Sequence, residues 1–195
     1  MCGGVRMTFL LCAVLVAAVL PVRVAMVDAP AQSGTVERAR PRPGAQSRHA
    51  TPHLEVMTSL SDKTVRPGQR FRITLDITPK PGIHVYAPGK HDYRVIALRI
   101  DPSPRLRAHP LKYPESVEYV FEPLNERVQV YDRRFRLVQE LEIIASPRPA
   151  QTTATALALS GVLAYQACTD TICYPPEQIP LTWVVALQPQ GQGVK

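Results

Sequence analysis

The sequence predicts an all-β fold, an immunoglobulin-like two-sheet β-sandwich preceded by a signal peptide and a disordered linker. Three observations carry that prediction. Apolar residues recur at every second position in several segments, which is the period of a strand with one buried face. Short turn signals separate those segments, as in a sandwich. The chain holds 20 prolines in 195 residues, too many to leave room for long helices.

The first element is not part of the sandwich. Met1 to Arg6 is short with one basic residue, and Met7 to Leu20 ("MTFLLCAVLVAAVL") is apolar apart from Thr8, the layout of an export signal. Its 14 residues are too few to cross a bilayer. Extending the run to Val27 takes in Pro21 and Arg23, so an uncleaved membrane anchor stands as the alternative. Ala29 and Ala31 place the cut after Ala31, making residues 1–31 the signal. Cys2 and Cys12 leave with it, and the mature chain keeps two cysteines.

Residues 32–50 ("QSGTVERARPRPGAQSRHA") hold almost no large apolar side chain and carry Arg38, Arg40, Arg42 and Arg48 against Glu37. Such a stretch buries too little surface to offset its ordering entropy and reads as a disordered, basic, proline-containing linker. It also explains much of the basicity. The chain is +7, but six basic and two acidic residues precede Thr51, which leaves 17 against 14 from there on, a net +3. That is too mild to argue for a nucleic-acid partner.

Residues 51–190, followed by a 191–195 tail, are enough for one domain with its own core. In Arg70 to Thr78, Phe71, Ile73, Leu75 and Ile77 share one face and the polar residues the other. Phe135, Leu137, Leu141 and Ile143 repeat the pattern, interrupted by Gln139, and so do Leu181, Trp183, Val185 and Leu187. Further strands are expected over His53–Leu60, Ile83–Tyr86, Tyr93–Asp101, Val117–Phe121 and Thr155–Tyr165. Arg66-Pro67-Gly68-Gln69 and Pro79-Lys80-Pro81-Gly82 are turns. The alanine-rich "TTATALALSGVLA" has helical propensity, but Gly161 and its β-branched residues favour a strand.

The chemistry concentrates in "YQACTDTICYPPEQIPL", Tyr165 to Leu181. Cys168 and Cys173 have four residues between them, and the flanking strands put both at one hairpin tip, within disulfide reach. An even number of cysteines in an exported protein usually means a bridge. As a structural clip the bridge is weak: closing so short a loop removes only roughly 2 kcal/mol of unfolded-state entropy, against nearly 5 for a loop of about a hundred residues. As a strained, exposed bond it would be reducible. Spacing alone leaves the structural and redox readings open. A metal site would need two more ligands, and His53, His84, His91 and His109 all lie far away in sequence. Glu140 and Glu142 fall on an exposed strand face, and no phosphate-binding glycine loop or serine elbow is present.

The segment "YQACTDTICYPPE" resembles the active-site signature of the amino-terminal, periplasmic domain of the thiol:disulfide interchange protein DsbD, Tyr-Gln-x-Cys followed by Cys-Tyr-Pro-Pro-Glu. "GIHVYAPG" resembles that family's glycine-to-tyrosine segment, with Tyr86 on its tyrosine, and "VQVYDRRFRL" resembles a later one; together they span Thr51 to Leu187. The resemblance implies an immunoglobulin-like domain in an electron relay across the cell envelope, working without metal or organic cofactor. It implies that Cys173 forms the mixed disulfide and Cys168 resolves it. The implied partners are thioredoxin-like exported proteins, including disulfide isomerases and cytochrome c maturation factors. Because neither a membrane domain nor a thioredoxin-like domain follows here, a separate membrane-embedded electron donor is expected.

Tyr86, His84, Tyr165, Gln166, Tyr174 and Pro175 are expected to line the site. The family shields its disulfide with a loop tipped by phenylalanine, which in "EYVFEPLNE" corresponds to Phe121 or Leu124; both also read as ordinary core or edge residues. Two departures stand out: four residues rather than five separate the cysteines, and His84 replaces an aromatic tyrosine. Asp170 and Glu177 lie near the thiols with no Lys or Arg from Ala150 until Lys195, so local negative charge is expected to disfavour the thiolate. The competing reading is a non-catalytic binding module with an inert disulfide.

Overall fold

A computed structural model describes residues 42–122, 125–145 and 155–188. The expected signal at 1–31, linker residues 32–41, Leu124 and the 191–195 tail lie outside the described residues. The fold is an all-β sandwich of the expected class, with no α-helix among the described residues.

The first layer is a five-stranded sheet in the order β1 (Ser47–Ala50), β2 (Leu54–Leu60), β4 (Arg70–Pro79), β10 (Phe135–Ile143) and β7 (Leu106–Ala108). Strict alternation in β4 sends Phe71, Ile73, Leu75 and Ile77 into the core, and its pairing with β10 sets Leu137 opposite Leu75 and Leu141 opposite Phe71. Gln139 is buried in that row without penalty, because its amide nitrogen donates to the carbonyls of His109 and Glu140. The turn into β4 and the turn after it each place proline then glycine at the centre: Gln69 N–H donates to Arg66 O at 3.0 Å and Ile83 N–H to Lys80 O at 3.0 Å. Gly68 and Gly82 supply the required positive φ of 78° and 74°.

The expected disordered linker does not extend to Ala50. Ser47–Ala50 forms edge strand β1 on β2, with Ser47 opposite Thr58. Composition registers side-chain burial, whereas an edge strand is held by ladder hydrogen bonds, so a polar segment qualifies; here Ser47 Oγ also bonds the buried Thr58 hydroxyl at 2.7 Å.

The second layer is divided into two four-stranded sheets. One runs β3 (Thr64–Val65), β13 (Glu177–Leu187), β11 (Ala156–Tyr165) and β6 (Ala97–Ile100); the other runs β12 (Ala167–Cys168), β5 (His84–Tyr86), β9 (Glu126–Tyr131) and β8 (Val117–Phe121). From Ala156 on, the alanine-rich segment is strand β11, paired with β13 from Ala156↔Ala186 to Tyr165↔Glu177. Beyond Tyr165 the chain leaves β13 and pairs with β5 instead, Ala167 against Val85 and Cys168 against His84.

That change of partner positions the site, because β12, β5 and the end of β9 are buried on both faces. Val85, Tyr131 and Ala167 turn into the main core, while their neighbours Tyr86, Val130 and Cys168 turn outward into a separate small cluster with Val128. Tyr93 and Tyr119 pack against this second cluster. Period-two alternation thus delivers Cys168 to a miniature core of its own.

Candidate functional site

Cys168 and Cys173 form a disulfide across the tip of the β11–β13 hairpin, with Cα atoms 4.0 Å apart. The backbone closes around them: Tyr174 N–H donates to Ala167 O at 2.8 Å and Thr169 N–H to Ile172 O at 2.8 Å. Thr169 Oγ1 accepts from the N–H groups of Thr171 and Ile172, holding the short intercysteine loop as a side-chain-capped turn. The two sulfurs differ sharply in access. Cys168 is 1% exposed, whereas Cys173 is exposed and opens into a pocket of about 100 Å³.

Tyr86, from β5, reaches both sulfurs, with its hydroxyl 3.5 Å from each Sγ. Neither sulfur of a disulfide carries hydrogen, so the tyrosine is the donor. Burial pushes its pKa up to about 12, assisted by the negative potential of Tyr93, Glu126 and Tyr119, so the proton stays in place over the working pH range. Its ring stacks on Tyr93 at a centroid distance of 4.3 Å and an interplanar angle of 6°. Tyr93 in turn donates to Glu126 at 2.7 Å.

His84 forms another wall, buried and set edge-on to Tyr86 with a ring separation of 5.9 Å, and 4.6 Å from Tyr119. Burial lowers its pKa; Asp170 and Asp132 oppose that shift without reversing it. Tyr119 reaches across from β8 and donates to Asp170 of the intercysteine loop at 3.0 Å, and Phe121, two residues further along the same strand face, also lines the pocket.

Of the residues expected to line the site, the structure brings Cys173, Tyr86, His84 and Phe121 around one pocket, with Cys168 beneath. Others lie elsewhere. Tyr165 is a core residue, wholly buried, because a tyrosine at the end of β11 has its hydroxyl satisfied by Thr51 and Glu177 at 2.8 Å each. Gln166 and Tyr174 bond one another, Gln166 Nε2 to Tyr174 O at 3.1 Å, and brace the hairpin without lining the pocket; Pro175 is exposed. Glu177 does not burden the pocket with charge: it pairs with His53 and accepts from Tyr165, while the His53 ring packs on Tyr174 at 4.2 Å.

Sequence reasoning missed Tyr93, Tyr119 and Glu126. Tyr119 had a usable signal, since it stands two residues before Phe121 and therefore shares its face. Tyr93 comes from the loop between β5 and β6 and Glu126 through the pairing of β9 with β8, so neither is marked by its neighbours in sequence. As for the histidines considered as metal ligands, His91 Nε2 donates to Ala87 O at 2.9 Å and His109 faces Glu142. Among the described residues no three or more His, Cys, Asp or Glu side chains converge as a metal-binding group.

The class that the fold and site define is a β-sandwich domain whose disulfide has one shielded and one open sulfur. The chain belongs to the family of the N-terminal domain of the thiol:disulfide interchange protein DsbD, whose family model matches residues 55–182. Among solved structures the N-terminal periplasmic domain of ScsB from Proteus mirabilis is similar in fold, with a TM-score of 0.52 and 18% identity over 73% of this chain. This chain spans about half of that one, 53%. The Neisseria meningitidis DsbD N-terminal domain in its reduced form matches with a TM-score of 0.40 and 17% identity, covering 60% of this chain and 82% of the other. No sequence among the curated proteins matches the chain significantly.

Proposed function

We propose that the Cys168–Cys173 bond opens and closes as the protein's task, relaying electrons between thiol proteins outside the cytoplasm. The observation that carries this reading is the unequal access of the two sulfurs: Cys173 is exposed at the mouth of a pocket and Cys168 is 1% exposed beneath it. A partner can approach only Cys173. To load the domain, a donor thiolate attacks Cys173 Sγ; a bond forms between the partner's sulfur and Cys173 as the Cys168–Cys173 bond breaks and Cys168 leaves as a thiolate. The donor's second thiolate then displaces Cys173, so the donor is oxidised and the domain holds two thiols. Unloading runs in reverse: Cys173 attacks an acceptor disulfide, and Cys168 attacks Cys173 to expel the reduced acceptor. Tyr86, in reach of both sulfurs, is suited to donate to whichever one carries negative charge.

Family membership supports a periplasmic or similar extracytoplasmic setting and thioredoxin-like partners. The reaction needs no metal or organic cofactor. The deciding experiment is partner trapping. Cys168→Ala leaves a mixed disulfide unresolved and should accumulate covalent adducts with exported thiol proteins, and Cys173→Ser should give none. Equal yields from the two variants, or a disulfide that resists a thioredoxin system while the fold is intact, would return the domain to a binding module with an inert clip.

A further inference from the structure

The charge around Cys173 points to the chemistry of the partner, an inference that rests on the exchange reading above. Two carboxylates, Glu126 from β9 and Asp170 from the intercysteine loop, line the pocket at Cys173, and among the described residues no Lys or Arg does. Neither carboxylate forms an ion pair among the described residues. Each accepts a tyrosine O–H instead, Tyr93 to Glu126 at 2.7 Å and Tyr119 to Asp170 at 3.0 Å. Those bonds fix the oxygens in place and leave both charges uncancelled. The surrounding sequence supplies no relief, since it lacks Lys and Arg from Ala150 until Lys195 although the chain as a whole is +7. Beside Cys173, Ile172 is an exposed apolar side chain, 54% accessible.

Exchange carries a full negative charge into this setting. The attacking thiolate brings it, the three sulfurs share it at the transition state, and Cys168 holds it after the bond breaks. Two fixed carboxylates oppose every stage, and a cation delivered with the attacking sulfur offsets them. We propose that the mouth at Cys173 selects thiol proteins whose reactive cysteine is flanked by a lysine or arginine, the cation facing Asp170 and Glu126 while Ile172 meets an apolar surface beside it. A partner with an acidic or uncharged rim reacts more slowly.

Small thiols test the charge rule without the partner being known. The oxidised chain is opened by cysteamine (cationic), 2-mercaptoethanol (neutral) and 2-mercaptoethanesulfonate (anionic), and alkylation quenching with mass detection gives each rate constant. Dividing by the same thiol's rate toward a neutral small-molecule disulfide removes its intrinsic nucleophilicity. The expected order is cationic, neutral, anionic, with about tenfold between the extremes at low salt, collapsing when the Debye length falls to roughly 3 Å near 1 M. Asp170→Asn and Glu126→Gln keep an oxygen that accepts the tyrosine hydrogen bond, and each should remove about half of the discrimination on a logarithmic scale. The wild-type salt series stands even if a variant folds poorly. Equal normalised rates for the three thiols would overturn the proposal and leave exchange at Cys173 intact, and so would a charge order that survives both substitutions and high salt. Failure of all three thiols to open the bond would remove the exchange reading itself.

Discussion

Tyr86→Phe isolates the one hydrogen bond donor that, among the described residues, reaches both sulfurs. The substitution removes a hydroxyl 3.5 Å from each Sγ and leaves the ring, with its stacking on Tyr93, in place. In the disulfide state the loss is small, because a divalent sulfur is a weak acceptor. Once the bond opens, one sulfur becomes a thiolate and the same hydroxyl makes a charge-assisted bond, worth about 1.5–3 kcal/mol at good geometry. At 3.5 Å the lower end applies, and about 1.4 kcal/mol is tenfold in an equilibrium or one pKa unit. Tyr86→Phe is therefore expected to raise the thiol pKa in the reduced protein by about one unit and to slow opening by dithiothreitol by up to about tenfold at neutral pH. The pKa is read from the thiolate absorbance of the reduced protein, and the rate from quenched alkylation. Because burial keeps the Tyr86 proton in place until about pH 12, the wild-type advantage should persist across the whole range in which the attacking thiol ionises. An unchanged thiol pKa together with an unchanged opening rate would refute the reasoning and reduce Tyr86 to packing.

Replacing both Cys168 and Cys173 by alanine should leave the sandwich folded and lower its stability by only about 2 kcal/mol relative to the oxidised protein, as a short closed loop allows, measured by urea unfolding. Gly161→Ala should cost more than its single carbon implies, about 1–3 kcal/mol, because a Cβ there would sit 2.5 Å from the Arg99 carbonyl oxygen on β6; a wild-type unfolding midpoint would show that the strands yield. For His84 the folded pKa lies below the ordinary imidazole value of about 6.5, so the unfolded chain binds the proton first. Its contribution is complete above that value and is lost as pH falls from there toward the lowered folded pKa, with a slope of at most about 1.4 kcal/mol per pH unit. His84→Gln should flatten that acid limb of the unfolding free energy; an undiminished slope would assign it elsewhere, His49 being the other histidine that burial lowers.

Longer strands with a regular apolar face were mostly legible, although the six-residue β9 was not among the expected strands. Val117–Phe121 is β8 to the residue, and the Arg70 and Phe135 segments are β4 and β10, each with one buried row. Most short strands were not: β3, β7 and β12 are too short to display a period, and β1 has none of the apolar content that marks a strand, whereas β5 and β6 fall within the expected Ile83–Tyr86 and Tyr93–Asp101. The disulfide hairpin was legible because its flanking strands and its residue order are local. The pocket was legible only in part, since Tyr93, Tyr119 and Glu126 line it from three chain segments, the last two through the β8–β9 pairing and Tyr93 from the loop between β5 and β6. Glu177 misled for the opposite reason. Proximity in sequence placed it beside the thiols, but as the first residue of β13 it stands opposite Tyr165, and its carboxylate goes to the His53 and Tyr165 side of the hairpin.

The asymmetry of the disulfide follows from where the chain changes sheets. Had β11 continued beside β13, both cysteines would lie in a hairpin loop with similar exposure. Instead the residues after Gln166 join β5, and a strand of two residues is enough to set Ala167 on one face and Cys168 on the other. Cys168 is then sheltered by Tyr86, Val128 and Val130, while Cys173, returning from the loop, meets only an isolated bridge opposite Cys168 and stays exposed. The main core does not depend on the bond: Phe71, Leu75, Leu137, Leu141, Leu181 and Trp183 pack between the layers, while Cys168 belongs to the separate outer cluster and Cys173 is exposed. Opening the bond therefore disturbs the smaller cluster and leaves the larger one closed. A disulfide that held the two layers together would make reduction an unfolding event; this one lies outside the main core, so the proposed exchange requires no opening of the sandwich.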